Sequence, residues 1–394
     1  MKRALVITFS HLDFDSRVLR QIETLAEGFT VEVFHPKKSD LYPWEQVSLN
    51  WKAKVEESTG KKPGLFSRGL AVVFHYLRRA GFALRIYKFA DKLPYSPYSV
   101  GRKSLERASS PEYDLVVSND VQTLPLAFAV SGKANVVADL HEFAPGQTTG
   151  QTARNRVRSR YMAWICRKYL PRCVAITVVS QAVSDLYLEY FQIQSSVLPS
   201  TPYYSRIDPT CVDPNNIKLV HHGFYGPNRG IELLIRAAAI LPPRFSLHLV
   251  LNGAPKTDLI ALARSLGLPP ERLTIHDFVP PDSLIPFLNE FDVEVIFIPP
   301  STLNTKATLP NKFFEAVQAR LAVFSGPTPE IKAQINEHGI GRTVDSFDVK
   351  KLAEALSSVS TSDIVRWKKA SHKAASVLCW EAVKPDYMSY LRMQ

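Results

Sequence analysis

Apolar runs alternate with stretches of helical spacing along the first half of the chain. Ala4 to Phe9 precedes Val18 to Glu27, Leu115 to Ser118 precedes Leu124 to Val130, and Ile176 to Val179 precedes Val183 to Tyr190. A short apolar run bounded by turn residues reads as a buried strand, and apolar residues three or four apart read as one face of a helix. Strand and helix in strict alternation build a parallel sheet covered on both faces. The second half repeats the pattern. Leu219 to His222, Leu247 to Leu251, Leu273 to Ile275, Val293 to Ile298 and Ala322 to Ser325 read as strands, separated by helical segments such as Ile231 to Leu241 and Asp258 to Leu266. The fold expected is α/β, with two doubly wound Rossmann-like domains.

Between the halves, Leu198 to Asn216 carries Pro199, Pro202, Pro209 and Pro214 among Ser, Thr and Asn residues. Such a composition breaks elements and marks a crossing between domains. The division is placed at 1–205 and 206–375, followed by a C-terminal segment 376–394. A chain of 394 residues has room for two domains.

Composition narrows the class. Hydrophobic residues make up 45%, enough for a core in each half. The four cysteines, Cys166, Cys173, Cys211 and Cys379, form no CxxC pair, so neither a disulfide framework nor structural zinc is expected. The apolar start reaches Ser10, His11 and Asp13 too soon for a signal peptide. Gly69 to Ala90, the most apolar long window, is interrupted by Arg78, Arg79, Arg85 and Lys88, so no membrane span is expected. These features predict a cytoplasmic protein. A net charge of +11 suits an anionic partner, whether phosphate, nucleic acid or an acidic membrane face.

The candidate chemistry lies just after the strands, where open parallel sheets bind ligands. In Leu309-Pro310-Asn311-Lys312-Phe313-Phe314-Glu315-Ala316, a proline opens a helix after the polar loop Ser301 to Thr308, which contains Asn304. Unpaired amides at a helix start attract phosphate. Lys312 adds a charge, and Glu315 one turn later can accept from the vicinal hydroxyls of a ribose. An ordinary capped helix with a surface Lys and Glu would read the same. Upstream, Gly223-Phe224-Tyr225-Gly226-Pro227-Asn228-Arg229-Gly230 follows a strand, placing Arg229 at a helix start, and Asn252-Gly253 follows another. Small residues there let a nucleotide approach the backbone.

With these segments, Asp277-Phe278-Val279 and Ala322-Val323-Phe324-Ser325-Gly326, the chain resembles bacterial glycosyltransferases of the GT-B fold, and is similar to the large retaining family numbered four. In the first half the likeness rests on Asp15-Ser16-Arg17-Val18, Asp114 to Asp120, Ala138-Asp139-Leu140-His141-Glu142 and Val178-Val179-Ser180. The resemblance implies transfer of a hexose from a UDP- or GDP-linked sugar, without metal or cofactor, to a glycan or lipid-linked acceptor in cell-envelope or polysaccharide biosynthesis. It implies that the segment 376–394, with Cys379-Trp380-Glu381, Tyr387 and Tyr390, returns to the first domain, and it implies donor binding by Gly223, Arg229, Gly253, Val279, Asn304, Asn311, Lys312 and Glu315. His141 and Arg229 are implied in catalysis. Read from the residues themselves, Asp120 after the strand Leu115 to Ser118 is the first-half carboxylate placed to take a proton from an acceptor hydroxyl, and Arg17 and Glu142 are candidates for acceptor binding. Asp120 would look the same as a helix cap, and His141 as a strand-end structural histidine, with Glu142 placed to orient its imidazole. Relatives hold a second glutamate where this chain has Ala307, and a basic residue where it has Gly223.

Arg154, Arg156, Arg158, Arg160, Arg167, Lys168 and Arg172 crowd one region with Tyr161, Trp164 and Tyr169, and Arg68 to Lys92 is similarly mixed with Phe74, Tyr76, Phe82 and Tyr87. Basic and aromatic residues together suit an anionic membrane, so peripheral docking to the inner face of the plasma membrane is expected. Two solvated basic helices are the alternative. Two rival functions remain: a sugar-nucleotide epimerase of the same fold, for which no acid and base pair is evident, and a nucleic-acid-binding protein, for which no known motif is present. Nucleic acid is therefore not expected as a partner.

Overall fold

The computed structural model describes residues 2–36, 44–48, 77, 80–82, 84–88, 112–226 and 229–392. The chain divides into two compact units, one of Met1–Leu198 with Asp386–Gln394 and the other of Pro199–Pro385.

The first unit holds a parallel sheet of β1 (Lys2–Ile7), β2 (Phe29–His35), β3 (Glu45–Ser48), β4 (Leu115–Asn119), β5 (Asn135–Leu140), β6 (Ala175–Val178) and β7 (Ser196–Val197), in the order β3-β2-β1-β4-β5-β6-β7. Every residue of β4 is buried, as a central strand covered by helices on both faces requires. The order reverses direction between β1 and β4. There the loops after the strands turn away from each other and leave a crevice at the carboxyl ends.

The second unit repeats the topology with β8 (Ile217–Phe224), β9 (Phe245–Asn252), β10 (Leu273–His276), β11 (Val293–Ile296), β12 (Ala322–Ser325) and β13 (Gly341–Thr343), in the order β10-β9-β8-β11-β12-β13. Its reversal point lies between β8 and β11. Successive strand residues face opposite sides, so Leu219, Val293 and Val295 enter one core while Val220, Ile296 and Val323 enter another. The second core is closed by the Asn311–Gln318 helix through Phe313, Phe314 and Val317. By the same alternation His222 and Glu294 stand on the side of the sheet that this helix covers.

The division falls at Leu198 and Pro199 rather than near 205, because the connecting segment is tied to the second unit. Gln318 accepts from the Ser205 amide at 2.9 Å, the Arg320 guanidinium donates to the Ser205 and Ile207 carbonyls, and the Trp380 amide donates to Pro202 O at 2.7 Å. The returning segment likewise begins at Asp386 rather than 376. Gln318 Nε2 holds the Ala375 and Leu378 carbonyls at 2.7 and 3.0 Å, so those residues stay with the second unit. The last helix, Trp380–Arg392, starts in one unit and ends in the other. Among the described residues no helix is long and apolar enough to cross a membrane.

The aromatic residues of the basic region have an internal role, against expectation. Tyr161 and Tyr169 are buried, and Tyr161 packs on Phe82, Tyr87 and Trp164 with ring centroids 4.6, 5.4 and 5.9 Å away. Lys168 caps the Trp164 ring at 4.6 Å. Arg154, Arg156, Arg158 and Arg160, on the Ala153–Tyr169 helix, are exposed. Arg68, Phe74, Tyr76, Arg78, Arg79 and Lys92 lie outside the described residues.

Candidate active site

In the second unit, β8 ends in His221-His222-Gly223-Phe224 beside the reversal point. Gly223 has φ +129°, a backbone setting that side chains disfavour, and a Cβ there would come within 3.4 Å of Lys312 Nζ. The ammonium of Lys312 thus lies over the position where a basic residue was expected. Lys312 donates to Nε2 of His221 at 2.9 Å, and Nδ1 of that ring donates to Val295 O at 2.7 Å. Burial and the Lys312 charge hold His221 well below the ordinary histidine range, so its imidazole is neutral and its Nε2 accepts a hydrogen bond from the lysine. Lys312 itself is pulled down to about 8, by burial first and then by Arg229, against Glu294 and Glu315.

His222 sits between two carboxylates. Its Nδ1 is 3.0 Å from Glu294 Oε2 and its Nε2 is 2.9 Å from Glu315 Oε2. Burial opposes a charge on this ring, yet Glu294 and Glu315 outweigh it and raise His222 to about 9. Glu294 is fully buried in β11. Neither His222 nor Glu294 was among the expected donor-binding residues. The available signal was a lone acid inside Val293-Glu294-Val295-Ile296, since a buried carboxylate needs a cationic partner.

The other expected donor residues are placed as follows. Arg229 is exposed, directly before Gly230, which caps the Ile231–Ile240 helix. Gly253 follows β9 with φ +75° and open space where a Cβ would stand. Asn311 is exposed in the first turn of its helix, where Pro310 provides no side-chain cap. Asn304 is half-buried in the short Leu303–Lys306 helix. Val279 packs against the core beneath the Asn311–Gln318 helix. Ala307 is buried.

In the first unit, His141 and Asp120 follow β5 and β4. His141 Nε2 lies 3.0 Å from Asp139 Oδ2 and 3.2 Å from Asn119 Oδ1, while its amide donates to Asp120 Oδ1 at 3.0 Å. Asp120 does not cap the helical turn that follows it. It takes φ +68°, a strained setting for a residue with a side chain. Burial is opposed by Asp120 and Asp139, which raise His141 to about 9 and make it an imidazolium, a donor rather than a base. Burial pushes the Asp120 carboxyl up, against the pull of His141.

The expectation of Arg17 in acceptor binding and that of Glu142 as the group orienting His141 need correction. Arg17 is 2% exposed, and its guanidinium donates to both oxygens of Asp139 at 2.7 and 2.6 Å and to Leu198 O at 2.8 Å. It braces Asp139 behind His141, since a cation with buried partners at all three nitrogens is spoken for. Glu142 does not orient the imidazole, because Asp139 and Asn119 do. Its carboxylate accepts from Gln147 Nε2 at 2.6 Å instead. Among the described residues no group of three or more His, Cys, Asp or Glu side chains is placed to hold a metal ion. Asp15, in the acidic Asp13-Phe14-Asp15 run, caps the Ser16–Ala26 helix by accepting from the Val18 amide.

Residues 216–362, most of the second unit, match the family model described as Glycosyl transferases group 1. No curated protein matches the chain. Among solved structures it is similar to sucrose-phosphate synthase from Thermosynechococcus elongatus, with a TM-score of 0.74 at 14% identity over 100% of this chain and 99% of that one. The fold is that of the GT-B glycosyltransferases. WaaG, a glycosyltransferase involved in lipopolysaccharide biosynthesis, shares this GT-B fold with a TM-score of 0.67 at 14% identity, covering 96% of this chain and 98% of its own. HepE from Anabaena, in complex with UDP and glucose, has a TM-score of 0.66 at 15% identity over 99% of both chains. The GT-B likeness read from Gly223 to Gly230 and Pro310 to Glu315 is thus matched across the whole chain.

Proposed function

We propose that the protein transfers a hexose from a nucleoside diphosphate donor to a hydroxyl of a glycan or lipid-linked acceptor, with retention at the anomeric carbon, in bacterial envelope or polysaccharide synthesis. The observation that carries this reading is the meeting of Lys312 and Glu315 with the end of β8, on one helix whose amides are not capped. In this assignment Lys312, Arg229 and the Asn311 and Lys312 amides receive the diphosphate, and Glu315 receives the ribose hydroxyls. The match to a glycosyltransferase family model and the UDP complexes of HepE support a sugar-nucleotide donor.

As the glycosidic bond breaks, negative charge grows on the leaving diphosphate and positive charge on the sugar. Fixed cations aimed at the diphosphate stabilise that transition state more than the ground state. The His221 imidazole steadies Lys312 without competing for its charge, because it accepts rather than donates. In the first unit the His141 imidazolium is a hydrogen-bond donor for a sugar hydroxyl. Asp120, whose carboxyl burial pushes up against the pull of His141, is assigned to the acceptor hydroxyl.

Calorimetric titration with UDP and GDP tests the donor assignment. One of them should bind, and Lys312→Ala should weaken that nucleotide by roughly 10- to 100-fold, the scale of a lost hydrogen bond to a charged group. Equal binding by Lys312→Ala and the unaltered protein would remove the diphosphate from this helix.

A further inference from the structure

We infer that His222 is a positioning residue for nucleotide recognition, holding the Glu315 carboxylate in the one setting that reads a ribose, with Glu294 as its buried anchor. The inference rests on the assignment of Glu315 to the ribose made above and adds how that carboxylate is kept in place.

Glu315 stands on the second turn of its helix with a side chain 21% exposed, and an exposed glutamate has three torsions to lose before it can present two oxygens to a diol. The Nε2 contact at 2.9 Å fixes Oε2, so the second oxygen keeps a single direction relative to the helix. The ring is held from behind, because its Nδ1 meets Glu294 Oε2 at 3.0 Å and Glu294 cannot move within a fully buried strand. A neutral imidazole has one N–H and would turn a lone pair toward one of the two carboxylates. Only the doubly protonated ring satisfies both.

The groups around the ring agree with this proton count. Glu294 from β11 and Glu315 from the Asn311–Gln318 helix raise the ring against burial, while Lys312 from that helix and Arg229 from the loop after β8 act on the neighbouring neutral His221 and lower it. The second histidine, and not the first, carries the charge because His222 meets a carboxylate at each ring nitrogen, while His221 spends its Nδ1 proton on a backbone carbonyl and its lone pair on Lys312.

The test compares UDP or GDP, whichever binds, with its 2′-deoxy counterpart. The unaltered protein should prefer the ribonucleotide by roughly tenfold or more, as expected for hydroxyls bonded to a charged acceptor. In His222→Ala the ratio should fall toward one, and His222→Gln, with an amide that can donate to either carboxylate, should keep part of it. Binding of the deoxynucleotide, which depends on the diphosphate, should change far less. If neither nucleotide binds, or if the unaltered protein shows no preference, the ribose assignment fails and this inference falls with it. If the unaltered protein discriminates and the folded variants discriminate equally, His222 has no positioning role. Should both variants fail to fold, the ratio in the unaltered protein between pH 7 and pH 10 decides. It should collapse as His222 loses its proton near pH 9, whereas loss of the Lys312 charge weakens both nucleotides alike and cancels. A ratio constant across that range would overturn the inference.

Discussion

Lys312 has to carry a positive charge where burial and Arg229 both resist it, and a bound diphosphate is the group that would relieve that tension. The sign of the pH effect follows. Below about 8 the free protein holds the lysine charged, and donor affinity is at its plateau. Above that value binding must bring a proton with it, so the apparent affinity should drop by up to roughly tenfold per pH unit. Titrations at pH 7 and pH 9 in two buffers of different ionisation enthalpy should show the weaker affinity and proton uptake at pH 9. Lysine, glutamate and the preceding proline were readable in sequence because they lie close together at one helix start, where spacing sets geometry. His222 and Glu294 escaped that reading, since their meeting depends on two strands far apart in the chain and on the parity with which each enters the sheet. Arg17 misled for a related reason. A lone arginine after a first strand looks like a ligand group until the carboxylate that neutralises it, Asp139 on β5, is brought beside it.

Gly230 shows what an element's first residue must satisfy. It begins the Ile231–Ile240 helix with φ +76°, and a Cβ would lie 2.1 Å from Phe297 O. That backbone oxygen cannot withdraw as a flexible side chain would. Gly230→Ala should therefore destabilise the protein by at least ~2 kcal/mol, combining left-handed strain with overlap. Chemical denaturation would measure it as a lower midpoint with an unchanged slope. Most of the second sheet was legible because its strands are short apolar runs between turn residues. Part of the first sheet was not. β2, Phe29-Thr30-Val31-Glu32-Val33-Phe34-His35, mixes polar and apolar residues, and its Glu32 is buried with Tyr113 and Arg3 as partners. β13 is Gly341-Arg342-Thr343, a pattern with no apolar signal, and a Cβ on Gly341 would fall 1.8 Å from Val323 O.

For the whole molecule, the excess of basic residues is expressed on the exposed arginines of the Ala153–Tyr169 helix, while its tyrosines turn inward. Membrane docking, if it occurs at this helix, is then electrostatic rather than anchored by rings. Vesicles containing anionic phospholipid should float with the protein at low salt and release it at high salt, and Arg154→Glu with Arg158→Glu should reduce the bound fraction severalfold. Flotation unaffected by salt or by charge reversal would return this face to being merely solvated. The two-fold repetition of the sheet order was predictable from alternation of strand and helix, whereas the return of the last helix to the first unit was readable from the family resemblance alone, because nothing in local spacing says which unit a segment will join.

That route has a consequence for taking the molecule apart. Tyr387 is buried in the first unit, close enough to Arg17 and Asp139 to feel their charges, yet it arrives after the entire second unit has been made. A ribosome finishing Leu198 has therefore not finished the first unit, whose interior waits for a side chain still to be synthesised. A stop codon placed at the apparent border would release an incomplete half, whereas a shuffled gene that joins the last residues directly to the first would let that half be studied alone.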